Sequence, residues 1–319
     1  MNCWSNPSAA YFSKGRQIYN LFLCRPNFSR SFSMSHKAGF VSIIGKPNVG
    51  KSTLMNALIG ERLSITNPKA QTTRHRILGI WNDEDNQIVF SDTPGILDPA
   101  YKLQENMMTV VDSAIKDADV ILYLVEPEEP FNEELIAQLQ KVKRPIILVL
   151  NKVDLSDQEK VEQRVGDWVT LLPDAEILPT SALHHFNTKA LLEMMTVHLP
   201  EHPPYYDKDE LTDRPVRFFV SEMIREKILK HYKKEIPYSV EVVVEDYTEE
   251  EKLDRIQATI FVERESQKMI VIGKGGAAIK RMGTDARRDI ENFIRKKIYL
   301  DLTVKVRKDW RSNDRDLRE

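Results

Sequence analysis

From Ala38 onward the chain alternates short, unbroken apolar runs with longer stretches in which apolar residues recur every three or four positions. Phe40-Val41-Ser42-Ile43-Ile44, Val120-Ile121-Leu122-Tyr123-Leu124-Val125 and Pro145-Ile146-Ile147-Leu148-Val149-Leu150 are runs of the first kind. Runs this short and continuous belong to strands covered on both faces. Their alternation with helical stretches predicts a wound α/β sheet of mostly parallel strands. One pair departs from the pattern: residues 76–81 and 87–91 flank the polar Asn82-Asp83-Glu84-Asp85-Asn86. That arrangement predicts a hairpin, and so one antiparallel strand in the same sheet.

The proline-rich, polar Leu199-Pro200-Glu201-His202-Pro203-Pro204-Tyr205-Tyr206-Asp207 reads as a linker, and the period changes beyond it. Residues 216–232 have helical spacing through Phe218, Met223, Ile224, Ile228 and Leu229. Alternating stretches follow near 238–247 and 255–263, then a glycine cluster, a helix to about residue 297 and a last strand at 299–306. The order helix, strand, strand, helix, helix, strand is that of a small α+β module. No internal repeat interrupts this two-part plan.

Composition narrows the class. With 319 residues and 41% hydrophobic content the chain can bury two ordinary cores, which excludes a disordered or fibrous protein. The two cysteines, Cys3 and Cys24, both fall before the first strand, leaving no disulfide framework or metal-ligand spacing and fitting a reducing compartment. No run approaches the roughly 18 apolar residues of a spanning helix, so a soluble or at most peripheral protein is expected. The net charge of −2 hides an asymmetry: acidic residues outnumber basic ones in 38–214, and basic outnumber acidic in 215–311. A polyanion is therefore expected to meet the C-terminal half. Residues 1–35 contain no acid and show no sustained period, so they are read as an extension outside the fold. Two explanations stand: a mitochondrial-type presequence, suggested by Arg16, Arg25 and Arg30, or an upstream start codon with translation beginning at Met34. The second is favoured, because Met34 just precedes the first strand and the segment makes a poor amphipathic helix.

Chemistry enters with Gly45-Lys46-Pro47-Asn48-Val49-Gly50-Lys51-Ser52, followed by Thr53, directly after a buried strand and before a helix beginning near Lys51. A glycine turn would be the bland reading, but the spacing is that of a P-loop. Its glycines let backbone N–H groups turn inward around phosphates and the helix N-terminus adds favourable partial charge. Lys51 reaches the β- and γ-phosphates, and Ser52 offers a hydroxyl to Mg²⁺. Asp92-Thr93-Pro94-Gly95 follows the hairpin's second strand, where an acid can hold Mg²⁺ through water and a glycine amide can sense the γ-phosphate. Asn151-Lys152-Val153-Asp154 ends another buried strand. Its Asp carboxylate can accept from N1–H and the exocyclic amine of guanine, a pair that adenine lacks. Lys152 can lie along the base and Ser181-Ala182-Leu183 can close the pocket. Together these motifs predict binding of GTP and GDP with Mg²⁺.

With Lys69-Ala70-Gln71-Thr72-Thr73-Arg74-His75-Arg76, Asp213-Arg214-Pro215 and Val262-Glu263-Arg264-Glu265-Ser266-Gln267-Lys268 added, the chain from about 37 to 311 resembles the Era family of bacterial ribosome-assembly GTPases. The resemblance implies an α/β P-loop GTPase domain at 38–204, an α+β type II KH domain at 213–311 and a tail at 312–319. The tail is shorter than is typical of the family, which would weaken contacts made there. Resemblance also implies that Thr73 is the switch I threonine on Mg²⁺ beside Ser52 and Asp92, with Thr72 left open as its neighbour. Lys51, Thr73, Gly95 and Asn48 form the implied catalytic set. Ras-type GTPases place a glutamine after the glycine of switch II to position water. Here that position is Ile96, which cannot hydrogen-bond, so slow intrinsic hydrolysis is expected. Related GTPases with a P-loop asparagine recruit K⁺ as an electrostatic aid. Asn48 either does this or only shapes the loop.

Val271-Ile272-Gly273-Lys274-Gly275-Gly276-Ala277-Ala278-Ile279 holds a Gly-x-x-Gly loop, whose glycines let a nucleic-acid backbone approach while Lys274 meets phosphate. Lys280, Arg281, Arg287 and Arg288 lie on the following helix, either as RNA contacts or as a solvated face. By resemblance the target is single-stranded 16S ribosomal RNA near its 3′ end, and the role is assistance to 30S subunit assembly by a monomer. The bacterial cytoplasm follows as the location, with peripheral inner-membrane contact allowed, or the mitochondrion if the presequence is genuine. The rival reading is an RNA chaperone that senses guanine nucleotide with negligible turnover; Lys51, Ser52, Thr73 and Asp92 favour the enzyme. Coupling would run through switch I at Thr73 and residues 101–114, where Leu103, Met107, Val110, Val111 and Ala114 could repack against the second domain.

Overall fold

The computed structural model describes residues 36–69 and 71–312, so the expectations for 1–35, for Ala70 and for the tail beyond Ser312 lie outside it. The first half runs β1 (Lys37–Gly45), α1 (Lys51–Ile59), β2 (Ile77–Asn82), β3 (Asn86–Asp92), α2 (Lys102–Asp117), β4 (Val120–Val125), α3 (Glu133–Leu139), β5 (Ile146–Leu150), α4 (Gln158–Leu171), β6 (Glu176–Pro179) and α5 (Thr188–His198). The strands form one sheet in the order β2-β3-β1-β4-β5-β6, parallel throughout except for the β2–β3 hairpin. Every residue of β4 and β5 is buried, which is why both read as unbroken apolar runs. Leu54 and Met55 of α1 and Leu191 and Met195 of α5 cover one face of the sheet. Val111 of α2, Leu135 of α3 and Trp168 of α4 cover the other. Because β1, β3, β5 and β6 are parallel, the loops at their carboxyl ends converge on one edge, where ligands of open α/β sheets bind.

The second half runs α6 (Val216–His231), β7 (Glu241–Thr248), β8 (Asp254–Val262), α7 (Glu265–Ile272), α8 (Ala277–Ile294) and β9 (Ile298–Val306). Its three-stranded sheet pairs β7 with β8 antiparallel and β8 with β9 parallel. Val220, Ile224 and Ile228 of α6 meet Ile260, Val271, Met282 and Ile290 in a core of their own. The helix expected from the spacing of 216–232 is present, and it buries Glu222, Arg225, Glu226 and Lys227 as well as its apolar residues. Arg225 and Glu226 meet residues 62–72 of the first half, Lys227 pairs with Asp289 of α8, and Phe219 belongs to the first core. Among the described residues no helix is long and apolar enough to cross a membrane.

The linker is not a free tether. Buried Gln87 accepts from the Tyr205 amide (2.6 Å) and the Tyr206 amide (3.1 Å) through Oε1, and its Nε2 donates to Tyr206 O at 2.8 Å. Further on, Leu211 O accepts from Ile80 N at 2.9 Å and the Thr212 hydroxyl donates to Leu78 O at 2.7 Å. The segment thus straps the exposed edge of β2, a position that would otherwise template pairing with another chain. Gln87→Ala removes the three hydrogen bonds that this buried side chain makes to the Tyr205 and Tyr206 backbone. We expect it to lower stability by roughly 2 kcal/mol in a urea titration and to speed protease cleavage near 205–212.

Candidate functional site

After β1 the backbone turns so tightly that side chains are excluded at two positions. A Cβ on Gly45 (φ +150°) would lie 2.4 Å from Leu124 O, and one on Gly50 (φ +101°) would lie 2.3 Å from Asn151 Nδ2. Asn48 between them adopts φ 68° and is exposed. Helix α1 then starts at Lys51 with no side-chain cap and no acid in its first turn, so its N-terminal amides are open to an anion. Lys51 Nζ donates to Gly45 O (3.1 Å) and Lys46 O (2.8 Å). Burial pulls the Lys51 pKa down to about 8, against the opposing pull of Asp92 and Glu129. A buried ammonium held by two carbonyls still has a donor for a phosphate oxygen.

Next to it three oxygen ligands meet. The Ser52 hydroxyl donates to Asp92 Oδ2 at 2.6 Å and lies 3.0 Å from Thr73 Oγ1, which is itself 3.3 Å from Asp92 Oδ2. Asp92 is fully buried and its Oδ1 has no hydrogen-bond partner. Burial raises its pKa, against the hydrogen bond from Ser52 and the charge of Lys51. Two hydroxyls and a carboxylate with an orphaned oxygen are the hard donor set that suits Mg²⁺. The Thr72 hydroxyl instead donates to Lys69 O (2.6 Å) and Asn67 O (3.2 Å), closing its own loop, so the geometry gathers Thr73 and leaves Thr72 out. Thr93 ties β3 to β1 by donating to Ile43 O at 2.7 Å, and Pro94 is buried behind it. Gly95 lies against Pro47, whose nitrogen would be 2.6 Å from an added Cβ. Ile96 N donates to Gly45 O at 3.0 Å while its side chain packs into the core. A cavity of about 340 Å³ runs from Pro47, Asn48 and Lys51–Thr53 under residues 65–68 and 71–73 to Gly95 and Lys152.

At the far end Asn151 works as a staple. Its Nδ2 donates to Val49 O (2.7 Å) and its Oδ1 accepts from Ala182 N (3.0 Å), joining the P-loop to the Ser181-Ala182-Leu183 turn. Lys152, at φ 61°, pairs with Glu126 at 2.7 Å, an acid that sequence reasoning missed because it belongs to no motif. Val153 is buried, and the half-buried Asp154 carboxylate lies 3.6 Å from His184 Nε2. Ser181 exchanges backbone hydrogen bonds with Phe186, and Leu183 is exposed.

In the second half, Gly273, Gly275 and Gly276 all have positive φ, and the latter two face open space. The loop projects Lys274, with Ile272 half-buried behind it. Beside it a groove of about 260 Å³ runs between α8 and β9, lined by Ile279, Lys280, Gly283, Thr284, Arg287 and the leucines 300 and 302. A Cβ on Gly283 would lie 2.9 Å from Leu302 Cδ1, so a glycine lets α8 approach β9. Helical spacing puts Lys280 and Arg287 on this face and turns Arg281 and Arg288 away from it. Arg288 lies 3.4 Å from Asp285, which accepts from His231 at 2.8 Å. Gly283, Thr284 and both leucines escaped the sequence reading, since only the fold brings them together.

The two halves meet at the switch segments. Arg74, next to Thr73, is buried in the second half, donating to Val240 O (2.7 Å) and pairing with Glu241 at 3.1 Å. Lys69 Nζ donates to Tyr232 O at 2.5 Å, and Tyr101 OH donates to Gln71 Oε1 at 2.9 Å. Leu103 and Met107 pack on Trp310, whereas Val111 and Ala114 stay buried within the first half and Val110 is half-buried.

The family model described as a 50S ribosome-binding GTPase matches residues 40–152, and a KH-domain model matches residues 235–311. GTPase Era of Clostridium kluyveri is 46% identical over 287 residues, 89% of this chain and 98% of its own. Among solved structures, Era in complex with MgGDPNP and nucleotides 1506–1542 of 16S ribosomal RNA is 37% identical, with a TM-score of 0.85 over 89% of this chain and 98% of that one. A variant of Aquifex aeolicus Era bound to GDP and AlF4⁻ has the same identity and TM-score over 88% of this chain and 98% of that one.

The staple makes a prediction without any ligand. Asn151→Ala removes both hydrogen bonds and leaves Val49 O and Ala182 N buried. The ligand-free protein is expected to lose about 2 kcal/mol in chemical denaturation.

Proposed function

Because this chain belongs to the Era family of GTPases, we infer that it is a GTP-hydrolysing switch that binds the single-stranded 3′ region of 16S ribosomal RNA and assists assembly of the small ribosomal subunit. The domains proposed are a GTPase unit at 38–204 and a type II KH unit at 213–311. One observation carries the coupling: Thr73 stands on Ser52 and Asp92 while the next residue, Arg74, is buried in the RNA-binding half.

In this reading the backbone N–H groups between Gly45 and Thr53, Pro47 having none, and the Lys51 ammonium hold the triphosphate, neutralising charge as the γ-phosphoryl group departs. Ser52, Thr73 and Asp92 would hold Mg²⁺, which supplies Lewis-acid stabilisation of phosphate charge when bound. Gly95 offers its amide toward the γ-phosphate through its contact with Pro47. Asp154 accepts the two guanine donors, the Lys152 stem lies along the base, and Asn151 holds Ala182 and Leu183 in place. Ile96 provides no hydrogen-bonding side chain to orient water, so unaided turnover is slow. Residues 272–276 take the RNA backbone and Lys280 and Arg287 its phosphates at the groove, while Arg281 and Arg288 add field from the neighbouring face. A ribosomal RNA partner puts the protein where ribosomes are built, in the bacterial cytoplasm.

The function is tested with a labelled RNA of the 16S 3′ sequence. Affinity is expected to be at least about tenfold higher with a non-hydrolysable GTP analogue than with GDP, a coupling within the usual range for linked sites. Equal affinities would sink the reading. The double substitution Lys280→Ala/Arg287→Ala should flatten the salt dependence by about two counterions, one for each lost phosphate contact, and Arg281→Ala/Arg288→Ala by less. Turnover should be several-fold faster in KCl than in NaCl if Asn48 recruits K⁺; equal rates would reduce Asn48 to a loop-shaping residue.

A further inference from the structure

Thr73 lies on a long loop, and a hydroxyl on a mobile loop completes a metal site only if something fixes its backbone. The loop is secured at its start by Asn56, whose Oδ1 accepts from Leu63 N (3.0 Å) and Ser64 N (2.9 Å). Its end is secured by Arg74. Between these anchors Gln71 holds φ 57°, a left-handed conformation unfavourable for a residue with a side chain. At that point the chain receives one residue from the other domain. Arg225, on α6, donates from Nη1 to Gln71 O at 3.2 Å and from Nη2 to Thr72 O. The adjoining edge of the same guanidinium is locked on Glu222, by Nε to Oε1 at 2.8 Å and Nη2 to Oε2 at 2.6 Å, with Nη2 shared between the two edges. The Arg225 and Glu222 side chains are only 2% and 8% exposed, so the fork has one geometry.

We propose that Arg225 is a positioning residue for the GTP-bound site: from the RNA-binding domain it clamps the two carbonyls before Thr73 and so sets the Thr73 hydroxyl for Mg²⁺. The proposal rests on the GTPase reading above. A clamp on switch I matters only when the loop must close on the γ-phosphate and its metal. Arg225 therefore separates triphosphate from diphosphate binding and leaves the P-loop's grip on GDP untouched. Linkage makes the effect reciprocal, so RNA bound against α7 and α8 reaches the metal end of the site through α6.

The test uses the full chain. Arg225→Lys keeps the charge opposite Glu222 but cannot span both carbonyls. Fluorescent GDP should bind it as it binds the parent, while affinity for a fluorescent GTP analogue with Mg²⁺ falls about tenfold or more. In nucleotide-free protein, hydrogen exchange of amides in residues 65–73 should speed up in Arg225→Lys. Combined with Thr73→Ala, Arg225→Lys should cost nothing further in analogue binding, because it acts through that hydroxyl. An unchanged analogue-to-GDP ratio, unchanged exchange, or costs that add would each overturn the proposal. If Arg225→Lys melts early, Glu222→Gln/Arg225→Gln replaces the ion pair with a neutral amide pair and is read in the same way. A parent protein that bound no guanine nucleotide would reject the function instead, and the exchange comparison would still decide the clamp.

Discussion

The structure turns on a small set of charges buried where the switch I loop meets α6. Arg74 and Arg225 come from opposite sides of the contact, with Glu222 and Glu241 between them. Burial disfavours the charges of Arg74, Arg225 and Glu222, and what remains depends on the partners. At Arg225 burial is outweighed by Glu222, Glu241 and Glu226, so its pKa stands above the ordinary value. At Arg74 burial prevails, aided by the nearby charge of Arg225, and the pKa is lowered. Glu222 is buried too, yet the two arginines and His75 hold it below the usual carboxylate range. Such a cluster adds little net stability when intact and is costly when one member leaves. A contact of that kind favours two discrete arrangements over a graded one, as a switch requires.

This cluster explains an otherwise odd helix. A helix that buries Glu222, Arg225, Glu226 and Lys227 would be a poor choice for the rim of a free domain. As the shared wall between two halves it is satisfied on both sides: Lys227 pairs with Asp289 of α8, and Glu226 pairs with Arg62 of the switch loop. The same helix thus touches the nucleotide side and the helix that lines the groove. Trp310 forms a second bridge, with its indole donating to Ser239 O at 3.2 Å and its ring packed on Leu103 and Met107. Arg74 lies over that ring at 5.7 Å, so both switches end on one side chain of the second half.

Within the first half the site follows from backbone economy. Parallel strands bring four loops to one edge, and the glycines at 45 and 50 let the phosphate loop pass within contact of β4 and of Asn151. Asn151 then shares its hydrogen bonds between the phosphate loop and the turn that follows β6. The phosphate loop and the turn after β6 are therefore mechanically joined through one side chain. The strap over β2 extends that economy, since the segment connecting the halves also protects the sheet's open edge.

The sequence by itself determined whatever depends on neighbours along the chain. The buried strands, the antiparallel hairpin, the phosphate loop, the Asn-Lys-x-Asp stretch and the Gly-x-x-Gly loop are local, because their chemistry needs fixed residue types at fixed short spacings. Tertiary structure decided whatever depends on partners far along the chain. Thr72 and Thr73 are chemically alike, and only the distances to Ser52 and Asp92 separate them. Lys280 and Arg281 are adjacent cations, and only the placement of β9 selects the first for the groove. Nothing in residues 216–232 announces that residues 62–75 will meet the polar side of α6. Burial is a property of the whole chain, so the sequence could name the parts of the site but could not show that the second domain helps to build the first one's switch.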